Sequence, residues 1–144
     1  MARMLKIRLK EPYRKGNMSD YQRSNISEAK GKKGIYMIYK NGTLRYIGYS
    51  ETDLEKTCLR HFQSWADDRQ VRVTYKRQDC KVRLCIINSA RSAALLEEAL
   101  IFKHKPIDNP NKLRQLELSK QHFEVVTQFV NENQYWKEGE PLPF

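Results

Sequence analysis

One segment of this chain constrains its fold more than any other. Gly34-Ile35-Tyr36-Met37-Ile38-Tyr39 is rich in β-branched and aromatic residues, Asn41-Gly42 follows, and Leu44-Arg45-Tyr46-Ile47-Gly48 comes next. Two short β-prone runs on either side of Asn-Gly predict a hairpin, because the favoured tight turn needs positive φ at both central residues. Side chains alternate across a strand, so Tyr36 and Ile38 share one face while Ile35, Met37 and Tyr39 share the other. Tyr46 and Gly48 fall together on one face of the second strand, and the hairpin can bring Tyr36 and Tyr46 close. Gly48 ends that strand and lets a backbone or ligand approach closely.

Beyond the hairpin the apolar spacing turns helical. Thr52 with Glu55 fits a capping box. It would open a helix with Leu54, Cys58, His61 or Phe62, and Trp65 on one side. Val71–Tyr75 and Lys81–Ile87 read as strands joined by a polar turn. Ser89 can cap a second helix through Ala93, Leu96, Leu100 and Ile101, ending before Pro106. Ile107-Asp108-Asn109-Pro110 reads as a turn. A last helix, at about 119–132, would bury Phe123, Val126 and Phe129 or Val130. Residues 11–33 are polar and aperiodic and read as a loop, and Gly139–Phe144 reads as a loose tail. Alternation in Leu5-Lys6-Ile7-Arg8-Leu9 predicts a short strand in the N-terminal arm. This order predicts an α+β fold, a small, largely antiparallel sheet flanked by helices.

The 144 residues suit one domain with its own core. At 40% apolar and 10% aromatic the chain is not a disordered polymer. No apolar run reaches the roughly 18–20 residues of a membrane span. The N-terminus mixes Arg3, Lys6 and Arg8 among its apolar residues and lacks a small-residue cleavage site. A soluble, cytoplasmic protein is expected, with no membrane partner. Cys58, Cys80 and Cys85 are odd in number and lack CxxC spacing, which fits free thiols in a reducing compartment. His61, His104 and His122 show no metal-ligand spacing.

Charge points to partners. Twenty-seven Lys and Arg against 17 Asp and Glu leave a net of +10. Residues 1–33 hold ten of the cations and three of the anions, a net of +7, which leaves +3 for residues 34–144. Nucleic acid, an anionic surface or an acidic protein would answer such an excess. Arg69, Arg72, Lys76, Arg77, Lys81 and Arg83 form a second basic source, as phosphate contacts or as outward decoration.

Several residues could carry chemistry, each beside a plainer role. Tyr36 and Tyr46 could be core-edge tyrosines. Arg60 offers a permanent charge with a planar donor fork suited to phosphate, or is an exposed arginine beside a half-buried His61. Glu97-Glu98 could supply one carboxylate to a hard divalent cation, or be a surface pair. Asn109 could be a turn former.

Taken together, these pieces resemble the GIY-YIG nucleases. Gly34-Ile35-Tyr36 and Tyr46-Ile47-Gly48 stand nine residues apart, then come Leu95-Leu96-Glu97, Leu100-Ile101, Lys105-Pro106 and Asn109. The last stretch is similar to the nuclease domain of the excision-repair incision subunit. The resemblance covers about residues 33–112. It implies a basic N-terminal extension over 1–33, a GIY-YIG-like nuclease domain over 34–112, and a C-terminal helix and tail over 113–144 packed on the same domain. It implies that Tyr36, Tyr46, Arg60, His61 and Asn109 form the catalytic site and that Glu97 binds Mg²⁺ or Mn²⁺. One position departs from the pattern. The family places its arginine four residues before the histidine, where this chain has Thr57, and Arg60 lies three positions further on. His61 would handle a proton or hold Arg60. The implied activity is divalent-metal-dependent hydrolysis of DNA phosphodiester bonds, with a homodimer or a specificity-supplying protein as further partner. The alternatives are a non-cleaving nucleic-acid-binding module with the same fold, or a basic protein-interaction domain.

Overall fold

The hairpin forms one side of the sheet. In a computed structural model, β2 (Gly34–Lys40) and β3 (Thr43–Ser50) pair antiparallel across the two-residue turn Asn41-Gly42. Asn41 has φ 51° and Gly42 φ 83°, the left-handed pair that this turn demands. The structure describes residues 3–8, 26, 28–62, 74–76, 79–109 and 117–132. β1 (Arg3–Arg8) and β4 (Cys80–Ile86) complete a four-stranded sheet in the order β1-β4-β2-β3, with every pair antiparallel. The fold is α+β. The strand expected in the N-terminal arm is present, and it lies along β4 from Arg3 opposite Ile86 to Arg8 opposite Lys81.

β2 has a strand on each side and a core on each face. Tyr36 and Ile38 join Val82, Leu84 and Ile86 beneath α1 (Leu54–Leu59). Ile35 and Met37 join Ile47, Cys85, Leu96, Leu100 and Ile101 beneath α2 (Ala90–His104). Phe129 of α3 (Lys120–Glu132) closes that second core. Each fully buried Leu or Ile is worth roughly 1.5–3 kcal/mol. The helices thus hold the sheet from both sides and fix which hairpin residues meet which neighbours.

Helix ends follow local chemistry, with one correction. Ser89 caps α2 by accepting from the Ser92 N–H at 3.2 Å. Lys105, at φ 46°, donates its N–H to the Ile101 carbonyl at 2.7 Å, and Pro106 ends the helix. α1 is capped by Asp53 and not by Thr52: the Asp53 carboxylate accepts from the Lys56 N–H at 3.1 Å. The reason lies upstream. The Ser50 hydroxyl accepts from the N–H groups of Thr52 and Asp53, which draws both into the turn and starts the helix one residue later.

Two further expectations need correction. Phe123 is 58% exposed and not part of the α3 stripe. His122 takes the inward place, with Val125, Val126 and Phe129 completing the buried face. Its Nδ1 accepts from the Ser119 N–H at 3.0 Å, a local bond that a phenyl ring could not make. The expected strand at Val71–Tyr75 is absent over Thr74–Lys76, where Tyr75 serves the site instead. Positions 71–73, Trp65, the loop at 11–25 and the tail at 139–144 lie outside the described residues, as does the Val130 side chain. So do Arg69, Arg72 and Arg77. Among the described residues no helix is long and apolar enough to cross a membrane.

Candidate active site on the hairpin

Tyr36 stands opposite Gly48 in the β2–β3 register. A Cβ at Gly48 would lie 2.4 Å from the Tyr36 hydroxyl and ring carbon. The glycine is therefore the space in which the phenol lies. Gly34 has a similar role toward backbone, since a Cβ there would lie 2.0 Å from the Cys85 carbonyl oxygen. Both glycines of the paired triplets are explained by close approach.

The Tyr36 hydroxyl shares a 2.8 Å hydrogen bond with His61 Nε2. His61 follows directly on α1, in a single 3-10 turn (Arg60–Phe62) that carries its imidazole under the hairpin. Tyr46 completes the group. Its ring lies 6.0 Å from Tyr36 and 4.6 Å from His61. Tyr36 and His61 are buried, while Tyr46 is half-buried. Two phenols and an imidazole thus converge from three elements. A phenol that gives its proton to this imidazole while taking one from elsewhere stays neutral and leaves His61 an imidazolium.

Asn109 is buried at the edge of β3, where the sheet would otherwise end in unpaired backbone. Its Oδ1 accepts from the Ile47 N–H at 2.9 Å and its Nδ2 donates to the Ile47 carbonyl at 2.7 Å. The side chain imitates one residue of a neighbouring strand and holds the segment that carries Tyr46. The adjoining Asp108 accepts from Arg45 and from the Tyr75 hydroxyl. Hydrogen bonding to Asp108 and, above all, burial push the Tyr75 phenol well above its usual range, so it remains a donor.

Arg60 is half-buried at the end of α1. Thr57 donates its hydroxyl to Ser50 Oγ at 2.9 Å and so ties α1 to the end of β3. That is a structural bond at the position where the family pattern has a cation.

Glu97 lies on α2, whose buried Ala93, Leu96, Leu100 and Ile101 join the core under the opposite face of the sheet. It influences Tyr49, whose phenol is raised by burial, by Glu51 and by the two carboxylates Glu97 and Glu98. Burial, then the charge of Glu98, pushes the Glu97 carboxyl up to about 8. Glu98 turns instead to His122, with Oε2 3.6 Å from Nε2. Among the described residues no group of three or more His, Cys, Asp or Glu is placed to hold a metal ion.

Arg45, Asp108 and Tyr75 are site neighbours that no spacing in the sequence marks. Asp108 was readable only as a turn former, and its partner Arg45 is 63 positions away.

No protein-family profile matches the chain, and no solved structure matches it at a significant level. One curated protein does: UvrABC system protein C of Christiangramia forsetii, 32% identical over 74 residues. The match takes in 51% of this chain and 12% of that protein's length. The chain is thus similar to a small part of that protein.

Proposed function

We propose that this chain is a divalent-metal-dependent endonuclease of the GIY-YIG type that hydrolyses DNA phosphodiester bonds. The observation that carries the reading is the Tyr36–His61 hydrogen bond at 2.8 Å, with Tyr46 stacked beside it. The similarity to UvrABC system protein C and the net charge of +10 point the same way.

Hydrolysis needs a water deprotonated as its oxygen attacks phosphorus and the phosphorus–oxygen bond to the leaving 3′-oxygen breaks. Tyr36 takes the water's proton as its own passes to His61 Nε2, which requires the Nδ1-protonated imidazole. A free phenol is a poor base near neutral pH, with a pKa of about 10. The relay avoids a discrete phenolate by moving both protons together. Tyr46, the more accessible phenol, meets the phosphate or the water. Arg60 supplies positive charge to the phosphoryl oxygens.

Glu97 is the residue that would hold Mg²⁺ or Mn²⁺. Its half-buried carboxyl, raised to about 8 beside Glu98, is a site that a cation would relieve. A single carboxylate with substrate phosphate and water fits the ligation habits of Mg²⁺, whereas a closed cage of protein ligands does not apply among the described residues. When bound, the ion supplies Lewis acidity and stabilises charge on the leaving oxygen.

Nicking of a supercoiled plasmid, with Mg²⁺ or Mn²⁺ and with a chelator, tests the reading. Glu97→Gln should abolish nicking while leaving the melting temperature and duplex affinity near wild type. Cleavage that survives the chelator would remove the metal, and cleavage that survives Glu97→Gln would remove its assigned ligand. Duplex binding without any nicking would leave the non-cleaving module.

A further inference from the structure

β2 and β3 stay in register from Gly34 opposite Ser50 to Ile38 opposite Tyr46, and then Tyr39 pairs with Leu44. Arg45 is the extra residue of a β-bulge. Bulges re-aim the side chain they carry and recur beside active sites. Strict alternation would put Arg45 on the face opposite Tyr46. Its guanidinium instead reaches Asp108, with Nε donating to Oδ2 at 3.2 Å and Nη2 to Oδ1 at 3.4 Å. The Asp108 N–H donates back to the Arg45 carbonyl at 3.1 Å.

Asp108 ties this arginine to the phenol–imidazole face. Its Oδ2 also accepts from the Tyr75 hydroxyl at 2.7 Å. The Tyr75 N–H donates to the His61 carbonyl at 2.7 Å, and the Tyr75 ring lies 6.3 Å from the imidazole. Both carboxylate oxygens are thus engaged within the protein. A guanidinium has five N–H donors in a rigid fork. Two are spent on Asp108, and the Arg45 side chain remains 32% exposed.

From this geometry we infer that Arg45 is a phosphate-binding residue, held in position by Asp108, whose remaining donors take a non-bridging oxygen of a nucleic-acid backbone. The inference rests on the reading above that the partner is nucleic acid. It gives the phenol–imidazole face a fixed cation where α1 has Thr57. A fork already locked by a carboxylate loses less freedom on binding than a long side chain without such a clamp.

Binding of a fluorescein-labelled DNA duplex by anisotropy, over a series of salt concentrations, decides the matter. Arg45→Gln should weaken binding roughly tenfold. It should also lower the slope of log Kd against log salt by about 0.9, the signature of one lost phosphate contact on duplex DNA. Asp108→Asn loosens the clamp but leaves the guanidinium, so it should weaken binding less than Arg45→Gln does and leave the salt slope at the wild-type value. A purely structural pair predicts otherwise: both variants weaken binding equally and the slope does not change, and that result overturns the inference. Should Arg45→Gln fail to fold, Arg45→Lys decides: keeping the charge without the fork, it should hold the salt slope and weaken binding severalfold, and unchanged affinity overturns the inference. Wild-type chain that binds the duplex without nicking plasmid removes the nuclease reading and leaves the Arg45 result standing. Wild-type chain that does not bind the duplex removes both.

Discussion

On the α1 face, β2 and β3 present Tyr36 and Tyr46 to a histidine. On the α2 face, alternate residues of the same strands, Ile35, Met37 and Ile47, meet Leu96, Leu100 and Ile101. Both faces are buried, but they meet the cost of burial differently. The α2 face buries mostly aliphatic carbon. The α1 face buries a phenol and an imidazole, which is tolerable because each satisfies the other at 2.8 Å. The strand alternation therefore separates reactive groups from stabilising ones without a second domain. It follows that substitutions on the two faces should affect different measurements.

The widest separation is expected between Tyr36→Phe and Leu100→Ala. Tyr36→Phe deletes the proton-handling oxygen and should slow plasmid nicking by about 10²–10⁴-fold, the usual range for a general base. It also leaves His61 Nε2 without its phenol partner, at a cost of about 1–3 kcal/mol in urea unfolding. Leu100→Ala opens a cavity in the aliphatic core and should cost about 2–5 kcal/mol. Its nicking rate per folded molecule should stay within about twofold of wild type. A Leu100→Ala protein that is folded yet inactive would break the contrast between the faces.

Gly48→Ala should cross the divide, because it injures fold and site through one contact. The new Cβ would lie 2.4 Å from a buried phenol that has little room to retreat. Overpacking of this kind costs about 1–3 kcal/mol, and it displaces the hydroxyl from His61. Circular-dichroism melting and nicking should decline together. Gly48→Ala combined with Tyr36→Phe should recover part of the stability and none of the activity. Loss of nicking at unchanged stability would mean that the glycine serves a ligand and not the ring.

The sequence revealed the parts whose causes are local. The Asn41-Gly42 turn, the alternation of Tyr36 and Ile38 against Ile35 and Met37, the Ser89 cap and the Pro106 stop all depend on residues a few positions apart. The facing of Gly48 and Tyr36 did not follow from the turn: regular pairing from Asn41-Gly42 would set Tyr36 opposite Ile47, and the bulge at Arg45 shifts the register by one. The start of α1 depended on the Ser50 hydroxyl, which claims the N–H groups of Thr52 and Asp53. The bulge at Arg45 depended on Asp108, and the strand-edge role of Asn109 on Ile47, 62 positions away. Single-sequence spacing carries no information on such pairings. It placed Glu97 on a helix, but not on which side of the sheet that helix packs.

Glu97 can be set apart from the phenol–imidazole face by pH. Its folded-state value of about 8 stands above the ordinary 4.5. The folded protein therefore holds this proton more tightly than the unfolded chain. The resulting stability is fully present below pH 4.5 and is lost as pH rises to 8, where the carboxyl must ionise in a poorly solvated place. Glu97→Gln has no such proton to lose. Urea unfolding at pH 5 and pH 8.5 should show the variant gaining about 1–2 kcal/mol on wild type across that interval, allowing for partial solvent screening. Mg²⁺ should stabilise wild type more at pH 8.5 than at pH 5, and Glu97→Gln at neither. Equal pH profiles for the two proteins would mean that the carboxyl is solvated and ionised throughout.

The smallest effect tests where the buried face of α3 begins. Phe123 and His122 are adjacent, yet Phe123 is 58% exposed while His122 is buried. Exposed substitutions away from special features usually fall within about 0.5 kcal/mol of neutral. Phe123→Ser should therefore leave urea unfolding within that margin. Phe129→Ala, seven residues on from His122 and on its side of the helix, should cost about 3–5 kcal/mol. A large loss from Phe123→Ser would restore the stripe that apolar spacing alone predicts and rotate α3 by one residue. The packing of His122 against Glu98, and with it the separation of Glu98 from Glu97, would then need to be redrawn.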